Sequence, residues 1–338
     1  MNSQKVDFLN IGLIVLSLVL AYMLPFRLFL VSYAVLGPLH YLTEINWLRE
    51  KKFFTHEPRW AWIALLFAFL IVLPKIFVLP AVNEWISGSF YEPINAWLLE
   101  YSNGFIFLWL AFSIALVLTK KWQWLLTSLT IGIGFVFLLN DVPLYIAIIG
   151  LLIPTLIHVY LFTVLFMVKG SLESKSKAGF AAIALMFLVP VIIAFVDIDQ
   201  GGYFFSDWVK NTFTENQFHA TNAKIAKFLG LGDGTSFFFY EKMELKLQTF
   251  IAFAYLYHYL NWFSKTTVIK WHKSLSLKRT IVIAGIWLIL VALFIYDYKI
   301  GLMVALFFSF LHVLLEFPLN VLSIKSIPLA VQKALKNS

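Results

Sequence analysis

Apolar runs of roughly twenty residues recur along this chain, separated by short charged clusters, a pattern that suits repeated crossing of a lipid bilayer. The runs are continuous rather than alternating, so helices are expected rather than the strands of a barrel. A single large soluble core does not fit: 61% of the 338 residues are hydrophobic and 13% are charged, where soluble domains carry about 25% charge. Mean hydropathy is +0.84. The expected architecture is an all-α polytopic transmembrane bundle forming one membrane domain over residues 1–338.

Ten spans fit, at about 8–23, 28–48, 60–79, 103–119, 122–139, 143–168, 178–196, 247–264, 280–296 and 301–323. The first two are separated only by Leu24-Pro25-Phe26-Arg27, so one long bent helix is the alternative there. Lys5 precedes the first run and no small-residue cleavage site follows it, which points to an uncleaved span rather than a signal peptide.

Basic residues mark one side. Arg49, Lys51, Lys52 and Arg59, then Lys120 and Lys121, Lys169, Lys175 and Lys177, Lys265 to Arg279, and the tail lysines Lys325, Lys333 and Lys336 all fall between alternate spans. The connection 80–101 has Glu84, Glu92 and Glu100 and no Lys or Arg. The positive-inside rule therefore puts both termini in the cytoplasm. The net charge of +8 is orienting charge of this kind, and no nucleic-acid partner is expected. The absence of cysteine excludes disulfides, thiolate metal ligands and cysteine nucleophiles.

The long connection 197–246 is expected on the outer side, with Ser206 capping an amphipathic or lid helix that carries Trp208, Phe213, Ile225 and Phe228. Its Gly230-Leu231-Gly232-Asp233-Gly234 run has no strand before it and reads as a turn, not a nucleotide fingerprint.

Four of the seven histidines, His40, His158, His258 and His312, lie in spans two, six, eight and ten, all running the same way. They stand 7 to 13 residues before the next cytoplasmic charge, or roughly 10–20 Å from the inner surface at 1.5 Å per residue. His56 and His272 sit in basic clusters and His219 in the outer connection. A lone histidine in a span usually bonds a neighbouring helix. Four at matched depth favour one shared metal site, provided their helices are neighbours.

Two of the four carry an acid one turn on. His40-Tyr41-Leu42-Thr43-Glu44 and His312-Val313-Leu314-Leu315-Glu316 both read His-x-Leu-x-Glu, placing each pair on one helix face. Glu44 and Glu316 are expected to orient the ligating histidines or to join them as hard oxygen ligands, which suits iron or manganese. Around His258, Tyr255, Tyr259 and Trp262, with Asn261 three residues on, form an aromatic wall suited to a long, flat, lipophilic substrate.

These patches resemble the Brp/Blh-type carotene-cleaving dioxygenases of prokaryotic membranes. Gly37-Pro38-Leu39-His40 followed by Glu44 is similar to that family's opening Gly-x-Pro-His and acid. His312, Glu316 and Phe317 are similar to its closing motif, with His158 and His258 in order between them. The chain has Trp262, not histidine, four residues after His258, and Glu where the family has Asp. The resemblance implies Fe2+ held by histidines, cleavage of a carotenoid with O2, and residence in a prokaryotic inner membrane. Haem or zinc are the alternative cofactors. A haem electron carrier and a proton-coupled transporter using the His and Glu residues as a relay are the alternative functions.

Overall fold

A computed structural model describes residues 3–77 and 79–336, and all regular structure among them is helical. The principal helices are α1 (Ser3–Met23), α2 (Pro25–Glu50), α3 (Ala61–Ile76), α4 (Pro80–Ile86), α5 (Tyr91–Glu100), α6 (Ser102–Leu118) and α7 (Trp122–Leu139). They continue as α8 (Pro143–Ser174), α9 (Lys177–Phe195), α10 (Asp207–Glu215), α11 (Phe218–Phe228), α12 (Lys242–Ser264), α13 (Leu277–Tyr296) and α14 (Tyr298–Lys336).

Among the described residues, eight helices are long and apolar enough to cross a membrane: α1, α2, α3, α7, α8, α9, α13 and α14. The pair α5 and α6, bent by 55°, makes up to nine. Of the ten expected spans, that at 247–264 falls short. It corresponds to α12, whose first turns carry Lys242, Glu244, Lys246 and Gln248. Packing rather than hydropathy places this helix: it lies against α2 and α1 and is buried along most of its length. Val78, near the expected end of the third span, lies outside the described residues.

Sequence punctuation accounts for the main breaks. Leu24 leaves helical geometry and Pro25 opens α2, so the first two spans are separate helices. In α8, Pro154 removes a backbone donor and Thr155 takes non-helical angles (φ −116°, ψ −106°) inside a wide π-type coil over Ile146–Phe162. α14 runs for 39 residues through Pro318 and Pro328, well beyond the expected 301–323. That is roughly 58 Å at 1.5 Å per residue, so Lys325 extends the helix rather than a loose tail.

The outer connection holds two helices instead of one. Ser206 caps α10 by accepting from the Val209 amide, but Gln217 (φ +60°) breaks the helix before α11. Phe213 and Ile225 are buried, whereas Trp208 and Phe228 remain exposed. Gly230 and Gly234 have positive φ, and Asp233 accepts from the Thr235 and Ser236 amides, as a turn requires.

Two hydrophobic clusters make up the interior. One joins α1, α2, α8, α9 and α12; the other joins α3, α6 and the middle of α14. Tyr41 and Tyr259 belong to the first, Trp262 and Leu314 to the second. The histidines occupy the seam between them.

Candidate metal centre

Each histidine comes from a different helix: His40 from α2, His158 from α8, His258 from α12 and His312 from α14. All are buried, at 1, 2, 8 and 1% exposure respectively. His158 Nε2 lies 3.0 Å from His312 Nε2, and His258 Nε2 lies 3.0 Å from His40 Nε2. One ring nitrogen from each falls within 4.8 Å of all the others, so the group could hold a metal ion. His56, His219 and His272 take no part in it.

The two acids behave differently. Glu44 Oε2 approaches its own helix neighbour, His40 Nε2, at 3.2 Å, as the spacing implies. Glu316 does not pair with His312. Its Oε2 lies 3.1 Å from His158 Nδ1 on α8, at an angle that makes the contact electrostatic rather than a formed hydrogen bond. An i, i+4 spacing fixes the helix face, but the rotation of α14 against α8 decides which imidazole that face meets.

Thr163, which carries no spacing signal, adds a third support. Its hydroxyl has one proton and donates it to the Val159 carbonyl at 3.0 Å. The contact from Thr163 Oγ1 to His258 Nδ1, 2.8 Å, must then be donated by the ring. That assigns His258 the Nδ1–H tautomer and leaves the Nε2 lone pair pointing into the cluster. The signal for this role is tertiary, since Thr163 and His258 are 95 residues apart.

Aromatic rings pack the remaining sides. Tyr41 stacks on His312 (centroids 4.4 Å apart, planes at 22°), and its hydroxyl meets that of Tyr259 at 3.1 Å. Trp262 stands edge-on to His40, its indole N–H donating to Thr43 Oγ1 at 3.0 Å. Tyr41 and Thr43 lie inside the first His-x-Leu-x-Glu segment, at the two positions the pattern leaves open.

Two cavities meet the cluster from opposite ends. The first, about 560 Å³, is reached by His158, His258 and His312 and walled by Phe29, Tyr255 and Tyr259. It draws on α2 from Phe29 to Tyr41, α8 from Gly150 to Val159, α12 from Ile251 to Tyr259 and α14 from Lys299 to Val313, with α11 across its far end. The second, about 580 Å³, is lined by His40, His158, His258, Glu44 and Glu316 and by the C-terminal halves of those four helices. The expected aromatic wall is therefore not one surface. Tyr255 and Tyr259 face the first cavity, while Trp262 and Asn261 face the second. Asn261 Oδ1 is buried there without a partner.

The donor set fits a metal ion. Nitrogens bound at about 2.0–2.1 Å to one ion stand roughly 3–4 Å apart, close to the separations found here. The buried Nδ1 atom of His40 has no formed hydrogen bond, so its tautomer is free to adjust to an ion. Glu44 and Glu316 bring two buried carboxylates, with no Lys or Arg within 4 Å of either among the described residues. A divalent cation would balance that charge, which is costly at this depth otherwise. No family model, curated protein or solved structure matches the chain.

Proposed function

We propose that this chain is a membrane metalloenzyme in which His40, His158, His258 and His312 hold one non-haem ion, by preference Fe2+, and which oxidises a lipid-phase substrate. The observation that carries this reading is the convergence of four buried imidazoles, three of them at the inner end of an apolar, aromatic cavity. When bound, iron supplies the one-electron chemistry with O2 that side chains lack. Thr163 fixes the tautomer of His258, and Glu316 holds His158 from its far nitrogen. Glu44, beside the inward nitrogen of His40, is placed to join the ligands or to hold a proton there. Tyr255 and Tyr259 line the cavity that would hold the substrate chain, while Trp262 and Asn261 line the second cavity. Both termini on the cytoplasmic side is the orientation the basic clusters favour, while residence in a prokaryotic inner membrane and a carotenoid as one substrate to try come from the Brp/Blh resemblance alone.

A haem fits less well. A porphyrin needs a clear plane between its two axial histidines, and here the remaining two imidazoles occupy that space. Transport is favoured by one observation, the two cavities that approach the cluster from opposite ends. A tight four-nitrogen site nevertheless suits retention of an ion more than its passage.

Elemental analysis with an ultraviolet–visible spectrum of gently purified protein tests the proposal. Near-stoichiometric iron without a Soret band, with substrate-dependent O2 uptake, is the expected result. An intense Soret band, or metal-dependent flux across proteoliposomes without O2 uptake, overturns it.

A further inference from the structure

Lys75 is an unusual residue on the wall of the first cavity. It sits near the end of α3, after Pro74, partly buried and lining the same space as His158, His258 and His312. Its ammonium lies 5.6 Å from the centre of the Phe310 ring. No carboxylate lies within 4 Å of it among the described residues.

Its charged surroundings are mostly of its own sign. Lys224 on α11 acts on it as a like charge, and Lys299 at the start of α14 lines the cavity with it. Glu215 is the acid on that wall, but it is exposed and forms no ion pair with either lysine. Partly desolvated ammonium groups without a counter-ion are costly. The cost is offset when a ligand brings the anion.

The rest of the wall defines that ligand. Tyr33, Tyr255, Leu302, Leu306 and Phe310 give an apolar and aromatic lining that leads to the histidines. A volume of about 560 Å³ is within the range of roughly 300–1,000 Å³ that holds one small molecule. We propose that the first cavity binds a single-chain lipid with an anionic head, the head on Lys75 and the chain lying toward the four histidines. This inference rests on reading that cavity as the substrate chamber. It narrows the substrate from any lipophile to an amphiphile, and it disfavours a plain hydrocarbon such as a carotene.

Binding to metal-depleted protein in phosphatidylcholine nanodiscs tests the inference independently of catalysis. The probes are an 18-carbon fatty acid, the lysophosphatidic acid with the same chain, the methyl ester of the acid, and β-carotene. One or both anionic lipids should bind about tenfold tighter than the ester, and the head that binds tighter identifies its chemistry. Lys75→Met should remove that preference and Lys75→Arg should keep it. A thermal melt and a monodisperse gel-filtration profile of Lys75→Met, unchanged from the parent, report that the variant is folded. Equal binding of acid and ester, tighter binding of β-carotene, or an unaltered preference in a folded Lys75→Met would overturn the proposal. Lys75-dependent binding in a protein that never retains iron would sustain it while removing the enzyme reading.

Discussion

Residues 40–44 and 312–316 share one five-residue pattern, yet they are wired differently. On α2, Glu44 touches the inward nitrogen of its own histidine, so acid and imidazole act at the same point. On α14, His312 and Glu316 approach the two nitrogens of a third residue, His158, from either side. The first segment thus offers a paired nitrogen and oxygen to one position. The second clamps a neighbour's imidazole. Identical spacing produces different chemistry because spacing sets a helix face, while helix packing selects what that face meets.

The largest effects should come from the imidazoles themselves. His158→Ala removes the residue that both members of the second segment contact, and metal retention by elemental analysis should fall to background. His312→Ala should do the same, whereas His56→Ala and His272→Ala should keep the ion. Retention in His312→Ala would mean that the second segment acts only as a clamp.

Next come the two acids, which sharpen the contrast directly. Glu316→Gln should weaken metal affinity by roughly 10–100-fold, typical of a lost partner behind a ligand, and leave the spectrum of a cobalt-substituted protein unchanged. Glu44→Gln should alter that spectrum as well as affinity. Matching spectra for the two variants would erase the distinction. Thr163→Val should cost about tenfold in affinity, with Thr163→Ser restoring it, because the hydroxyl fixes the tautomer of His258.

The smallest effect concerns a buried carboxylate that has no histidine. Glu244, 8% exposed in the first turn of α12, leaves Oε2 unpartnered. Burial, reinforced by the charge of Glu241, pushes its carboxyl up to about 7. Between the ordinary value of 4.5 and about 7, the folded protein keeps a proton that the unfolded chain releases. Stability therefore falls as pH rises through that window. Glu244→Gln should raise the Tm at pH 8, by on the order of 1 kcal/mol in stability, and have little effect near pH 4.5. Equal shifts at both pH values would mean that the gain is packing, not charge.

Much of this was legible in the sequence, and the losses have particular causes. The histidines could be aligned because each stands at a countable distance from a basic cluster. The split of the aromatic wall could have been foreseen: Tyr255 and Trp262 share a face, but seven residues rise roughly 10 Å along the axis, enough to fall on opposite sides of His258. The partner of Glu316 could not, since it depends on how α14 turns against α8. The break at Gln217 has no glycine or proline to announce it, and Thr163 gives no sign until α8 and α12 are side by side.

α12 has a consequence for biogenesis. The helix that delivers His258 begins with four charged or amide side chains in seven residues, so the bilayer alone is a poor host for it. Its neighbours α1, α2, α8 and α9 are all made before it, and they supply the shelter that lipid does not. A nascent chain therefore carries His40 and His158 into the membrane early, but cannot seal the fourfold site until this helix docks and α14 follows. An ion held by the four histidines would enter last, into a finished bundle, and a chain whose α12 fails to dock would present an exposed polar helix for proteolysis.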